Sequence, residues 1–480
     1  MRRRVSSIVL GLVLGCSAPP SEKAAGLTAE QLKDPEACAS CHPQHYEEWS
    51  GSMHAYAAED PIFLAMNARA QRDDKLGDFC VKCHAPMAVR DGLTQDGLNL
   101  PALPQSAKGV TCYFCHSAER VEGVHDNPIV LATDKALRGP LSDPLANPAH
   151  ASSYTRLLDR DSLESAAFCG SCHDIRSAHG TDLERTFQEW QASAFSQAPG
   201  GTTCGQCHMA QSKALEPVAS LAAAPPRRRH AHDFPAVDQA LTEFPHAAEQ
   251  RASAERLLAT TLQTALCVRG LGAQQSLLVV FDNVAAGHAW PSGVAQDRRA
   301  WVQLQAYQAG QLIYESGASG TNQTTPDLPD PDLWLLRDCG FDQNAEPVAM
   351  FWQARSIQST ALPAQLTFDQ ADRRFYQTHV YRSFPRSGAL SRAPDSVTLR
   401  MHLAPVGVDV ADDLIENGDL DAGLRDSLVA LEVGEPLTWT AATATEVYQD
   451  KGIPMSCISA SNLRASADRV PASDVQACSH

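Results

Sequence analysis

Cys38-Ala-Ser-Cys41-His42, Cys80-Val-Lys-Cys83-His84, Cys112-Tyr-Phe-Cys115-His116, Cys169-Gly-Ser-Cys172-His173 and Cys204-Gly-Gln-Cys207-His208 are five copies of one pentapeptide pattern, C-x-x-C-H. With 15 Cys and 17 His in 480 residues, chance would supply on the order of 0.02 such patterns. Two residues between the thiols set the sulfurs at the span of the two vinyl groups of a haem. The next residue, a histidine, then reaches the iron from the same side. The repeats therefore read as five covalent haem c sites. Their cofactor-binding cysteines are Cys38, Cys41, Cys80, Cys83, Cys112, Cys115, Cys169, Cys172, Cys204 and Cys207, and their proximal iron ligands are His42, His84, His116, His173 and His208. Paired C-x-x-C modules can also build tetrahedral zinc. Zinc gives no reason for a histidine after every second cysteine, and no βαβ pattern surrounds the repeats as a thioredoxin-type dithiol would need.

Outward from this stretch, residues 1–15 read as a lipoprotein signal peptide. Met1-Arg-Arg-Arg4 is a basic start and Val5 to Gly15 a short apolar run, roughly half the length needed to cross a bilayer. Val13-Leu14-Gly15-Cys16 resembles a bacterial lipobox, which makes Cys16 the expected lipidation site; an ordinary secretory signal cut near Ala18 is the alternative. Ser17 in place of Asp after the cysteine points to the outer membrane or its periplasmic face. Removing residues 1–15 takes away three arginines and no acids, moving the formal charge from −17 to −20. So acidic a chain excludes nucleic acid and favours cationic docking surfaces on redox partner proteins. Membrane contact is expected through the lipid anchor alone.

Residues 16–33 form a polar tether and 34–245 the pentahaem domain. The first cysteines of the motifs lie 42, 32, 57 and 35 residues apart, too irregular for a solenoid. Asp60 with Pro61 predicts a helix start. Thr181-Asp-Leu-Glu184 predicts a capping box opening a helix through about Phe195, with Leu183, Phe187, Trp190 and Ala194 as its apolar stripe. A connecting helix is expected over 246–266, opened by Pro245, with Leu257, Leu258 and Leu262 facing inward.

Beyond it, 267–455 reads as a β-rich domain and 456–480 as a C-terminal tail. Ser276–Phe281, Ala300–Tyr307, Leu312–Tyr314, Ser396–Leu403, Leu428–Glu432 and Leu437–Ala441 alternate as strands, which suggests a β-sandwich. Cys267, Cys339, Cys457 and Cys478 allow three disulfide pairings. The fold class expected is α+β in two parts: a mostly α and loop multihaem domain, then a β-sandwich-like domain.

A haem used for electron transfer commonly takes a second protein ligand, whereas an enzymatic haem keeps one position open. Candidate distal ligands are His54, His125, His150, His232 and His288, with His45, His179, His230 and His246 as reserves and Met53, Met87 and Met209 as other options.

These residues carry a family resemblance. Cys38-x-x-Cys41-His42, Trp49-x-x-Ser52-x-His54-Ala, Gly109-Val-Thr-Cys112 with Cys115-His116, and Thr186-Phe-x-Glu189-Trp190 before Cys204-x-x-Cys207-His208-Met209 resemble the multihaem c-type cytochromes related to the tetrahaem electron acceptors of hydroxylamine oxidoreductase. Gly287-His288-Ala-Trp-Pro-Ser-Gly293 is similar to a Gly-His-x-x-Pro-x-Gly element of multihaem cytochromes with a β-rich tail. The resemblance implies haem c binding and electron transfer, without a substrate. A fifth haem and the long β region depart from the tetrahaem pattern. The expected function is an exported carrier passing electrons along five haems between redox partners. The alternatives are an oxidoreductase acting on a small nitrogen or sulfur oxyspecies at an open haem, and a β-domain interaction module within a larger electron conduit. No residue is expected to be catalytic in the carrier.

Overall fold

The computed structural model describes residues 26–197, 200–320, 323–325, 327–442 and 446–449. The signal peptide, Cys16, most of the tether, Cys457, Cys478 and the tail lie outside the described residues. The fold is mixed α+β.

The early chain is built from short pieces. Each haem motif forms about one helical turn: His42 N–H donates to Cys38 O (2.8 Å) and His173 N–H to Cys169 O (3.1 Å). Thr111 and Thr203 cap the turns Cys112–His116 and Cys204–His208 by accepting from Phe114 N and Gln206 N. Such a cap fixes where the turn begins, and with it the direction of the histidine that ends it. The longest early helix is Pro61–Asp73, capped by Asp60 as predicted; it buries Ile62, Phe63, Ala65, Met66, Asn67 and Ala70.

The predicted capping box at Thr181–Glu184 is not one. Asp182–Glu184 is a strand paired antiparallel with Ile175–Arg176, and the helix that follows spans only Thr186–Ala192. Gly180, at φ +84°, turns the chain there and makes the hairpin possible. The connecting helix also differs from expectation. It runs Ala247–Thr261 behind His246 in the left-handed region, and the chain becomes a strand at Leu262. Leu258 is buried in the helix, while Leu262 is buried as a strand residue.

Among the described residues, the later chain forms a two-stranded antiparallel sheet, Asp338–Phe341 with Ser356–Ser359, and two larger antiparallel ones. One has four strands in the order Val380–Phe384, Ser276–Asn283, Leu262–Arg269 and Glu446–Tyr448. The other has six, with Arg299–Gln308 and Ser396–Ala404 at its centre in full register from Arg299–Ala404 to Tyr307–Ser396. Every second residue feeds one apolar core: Leu277, Val279 and Phe281 from the first sheet meet Val302, Leu304, Leu399, Met401 and Trp334 from the second. This is the period-two burial that a strand imposes. The strands predicted at Ala300–Tyr307 and Leu312–Tyr314 pair as a hairpin through Gln308–Gln311, but of the segment Leu428–Glu432 only Leu431–Glu432 is strand. Cys267 and Cys339 both sit in disulfides.

A second apolar cluster joins the two regions. Ile62, Met66 and Leu183 pack with Met350, Trp352, Val410 and Leu414. Trp352 Nε1 donates to Asp74 Oδ2 at 2.8 Å, Arg185 pairs with Asp338 at 2.6 Å, and Arg69 pairs with Asp413. The halves therefore share part of their interior. No described helix is long and apolar enough to cross a membrane.

Candidate haem sites

The ten motif cysteines are all of intermediate exposure. Among the described residues, no three or more His, Cys, Asp or Glu converge as a protein-held zinc ion would require.

The motif histidines share one arrangement. Nδ1 of His42 bonds Val218 O (2.8 Å), that of His84 bonds Ala57 O (2.9 Å), that of His116 bonds Arg138 O (2.5 Å) and that of His208 bonds Pro235 O (2.7 Å). Nδ1 of His173 instead faces Glu184 Oε1 at 3.5 Å. In all five, Nδ1 has a partner that fixes the tautomer and leaves Nε2 for a metal. Burial lowers the pKa of His84, His116 and His208 and so favours the neutral imidazole, the form that ligates. At His173 burial is the largest single influence and works in the same direction, but Glu184, together with Cys172 and Cys169, outweighs it and lifts the pKa to about 9.

Several predicted distal histidines come to these rings. His150 lies 6.5 Å from His42 between ring centroids, and His54 lies 6.3 Å from His173. Two imidazoles on one iron, each nitrogen roughly 2 Å from the metal, would place their centroids about 6.3 Å apart. His232 lies near enough to His116 for the two rings to disfavour each other's charge, and so does His288 to His208. His54 is pushed down to about 3 and His288 to about 4, chiefly by burial. Nδ1 of His232 bonds His230 O (2.9 Å), and that of His150 bonds Ala151 O (3.1 Å). His150 and His54 thus stand at the ring spacing that a shared iron would impose.

His125 behaves differently. Its Nδ1 bonds Asp174 Oδ1 at 2.6 Å, beside His173, and it enters no imidazole pair of the kind formed by His54 and His150. The ring packed face to face on His84 is that of Phe63, at 3.9 Å. The reserve His45 is buried edge-on between His42 (5.7 Å) and His232 (4.8 Å).

His288 is delivered by a loop of the β region. Gly287 turns at φ +76° against Phe195, where a Cβ would stand 3.6 Å from the ring. Asn283 Nδ2 donates to His288 O (2.7 Å), and His288 Nδ1 bonds Ala289 O (2.7 Å). Glu189, on the helix Thr186–Ala192, then accepts from Ala289 N (3.2 Å) and Ser292 Oγ (2.6 Å). Sequence reading missed both Glu189 as the anchor of this loop and Glu184 as the partner of His173. The Gly180 turn between two short apolar-polar segments was the available signal for Glu184.

The motifs also approach one another. The thiol of Cys38 meets that of Cys112, Cys83 meets Cys172, and Cys169 meets Cys204, while Cys115 lies near both Cys172 and Cys169. The fourth motif thus touches the second, third and fifth, and the first is reached through the third.

Residues 37–117 match the family model described as cytochrome c554 and c-prime. The fold is similar to the crystal structure of a penta-heme cytochrome c552 from Thermochromatium tepidum, with a TM-score of 0.56 and 20% identity over 85% of this chain and 100% of that one. No curated protein matches the chain. The family match, the shared fold and the site together support a multihaem c-type cytochrome with covalently bound haem c, working in electron transfer.

Proposed function

We propose that the protein is an exported, lipid-anchored carrier that holds five covalent haems and passes electrons along them between redox partner proteins. The observation that carries this reading is the common geometry of five motif histidines, each with Nδ1 engaged and Nε2 free. Bound haem would supply a one-electron couple at each site. The chain's part is to attach the groups through ten cysteines, orient five proximal imidazoles and bring neighbouring motifs into contact. On this reading His150 would complete the site of His42, His54 that of His173, His232 that of His116 and His288 that of His208. The finer fold reading keeps a haem domain followed by a β-sandwich, supported by the alternate-residue core that the two sheets share. The β region would cap the fifth haem through His288.

Intact mass after acid–acetone extraction tests the count, because thioether-bound haem survives where ligated haem does not. Five haem equivalents are expected, and three or fewer would sink the proposal. The export and anchor reading rests on the lipobox-like Val13-Leu14-Gly15-Cys16. Cys16→Ser should free the protein from membranes with its haem content intact.

One observation favours the oxidoreductase alternative at a single site. The other four candidate distal histidines are assigned above to the remaining motifs, and His125 is turned onto Asp174. The haem of His84 would then keep an open axial position. Carbon monoxide titration of the reduced protein should find one binding haem in five; no binding would favour a pure carrier.

A further inference from the structure

Four of the motif histidines set Nδ1 on a backbone carbonyl, a neutral acceptor, whereas His173 sets it on the carboxylate of Glu184 at 3.5 Å. We propose that Glu184 is a positioning residue that makes the haem of Cys169, Cys172 and His173 the lowest in potential of the five. The inference rests on the five-haem reading above.

The physical argument concerns charge. A full negative charge on the far side of an imidazole makes the ring a stronger donor to its metal, and it favours the more positive, oxidised iron. A carbonyl does so only weakly. Glu184 is 8% exposed, so solvent and salt screen it little. It is held in place by backbone, because Glu184 pairs in register with Ile175, two residues after His173.

The groups around it leave the charge standing. Arg298 is the cation that feels Glu184, but its guanidinium is already spent on hydrogen bonds to Asp238 (2.8 and 3.0 Å), Ser292 O and Pro405 O. Asp238 acts on His173 with the same sign as Glu184. Arg185 is committed to Asp338.

The position gives the tuning a consequence. This motif is the junction at which the second, third and fifth meet. A junction lower in potential than its arms passes an electron on rather than holding it. Electrons would come to rest on the outer haems.

The test is a spectroscopic redox titration of wild-type and Glu184→Gln holoprotein, with covalent haem counted in each. Gln keeps the size and an acceptor oxygen but removes the charge. The lowest midpoint of the wild type should rise by at least a tenfold change in its oxidised-to-reduced ratio, about 59 mV for a one-electron couple. A smaller rise is expected at the haem of His84, whose ring also feels Glu184, and none at the other three. Glu184→Asp, which keeps the charge one methylene further away, should fall between. Unchanged midpoints in Glu184→Gln, or a shift confined to a haem other than the lowest, would overturn the inference. Should Glu184→Gln fail to fold, the wild type decides: five midpoints with none set below the rest would overturn it too. Fewer than five haems in the wild type would instead overturn the functional reading.

Discussion

The strand Arg299–Gln308 buries Ala300, Val302, Leu304 and Ala306 on one face, while the helix Glu164–Gly170 beside the fourth motif buries only Ser165, Ala166 and Gly170. The contrast holds across the two regions. The β region closes its interior with its own side chains, and burying one such Val, Leu or Phe contributes roughly 1.5–3 kcal/mol. The apolar clusters of the haem region are smaller, such as Phe63 with Val81 and Leu100, and Met87 with Phe114 and Ile129. Beside them it buries imidazoles and thiols, whose burial stabilises little without a partner. Its short helices, most of four to eight residues, are too brief to stand alone. The difference teaches that one region is specified by its amino acids, and the other by its amino acids together with the groups they attach.

Blocking haem attachment should break the comparison most completely. Chain produced without haem is expected to lose amide-exchange protection through most of residues 38–245 and keep it in the strands of 262–404. The helix Pro61–Asp73, packed on Trp352 and Leu414, should be the early element that survives. Full protection in the haem region would show that its side chains suffice.

The next largest effect lies in the other interior. Trp334 is fully buried between Phe281 (5.2 Å) and Phe384 (6.2 Å). Trp334→Ala should cost about 3–5 kcal/mol by denaturant titration, with an unchanged haem spectrum while the protein stays folded. A changed spectrum would mean that the two interiors are not separable.

Glu189→Gln probes the joint between them. Loss of its charge weakens the hold on Ala289 N and Ser292 Oγ, at a cost of about 1–3 kcal/mol. The haem of His208 should gain a high-spin fraction as His288 loosens, in addition to that of the haem of His84. A high-spin fraction no larger than that of the wild type would leave Glu189 a purely structural anchor.

The smallest effect is a slope. Asp297 is pushed up to about 7, chiefly by burial, against about 3.9 in an unfolded chain. Between about pH 4 and 7 the folded protein holds a proton that the unfolded chain has released. The contribution of Asp297 to stability should therefore fall as pH rises through that window, by at most about 1.4 kcal/mol per unit. The difference in stability between Asp297→Asn and the wild type should change by up to that much per unit across the window, without any haem midpoint moving.

What the sequence determined by itself was local. The covalent chemistry of C-x-x-C-H spans five residues. The strands at Ser276, Ala300 and Ser396 show in alternate apolar positions, and the Asp60-Pro61 start of a helix needs only its own turn. Each of these depends on neighbours along the chain. Thr181–Glu184 shows the limit even at short range, since a capping-box pattern and a strand end look alike until a partner strand is known. Which histidine faces which motif was decided by the tertiary structure. His54 comes to His173 and not to the nearest motif at His42, His288 is brought in from the β region by Glu189, and Glu184 is returned to His173 by a hairpin. The reason is physical: axial pairing and charge placement depend on distances of a few ångströms between residues distant in sequence. Any of several histidines satisfies the composition, and only packing selects the one whose Nε2 points at the right place.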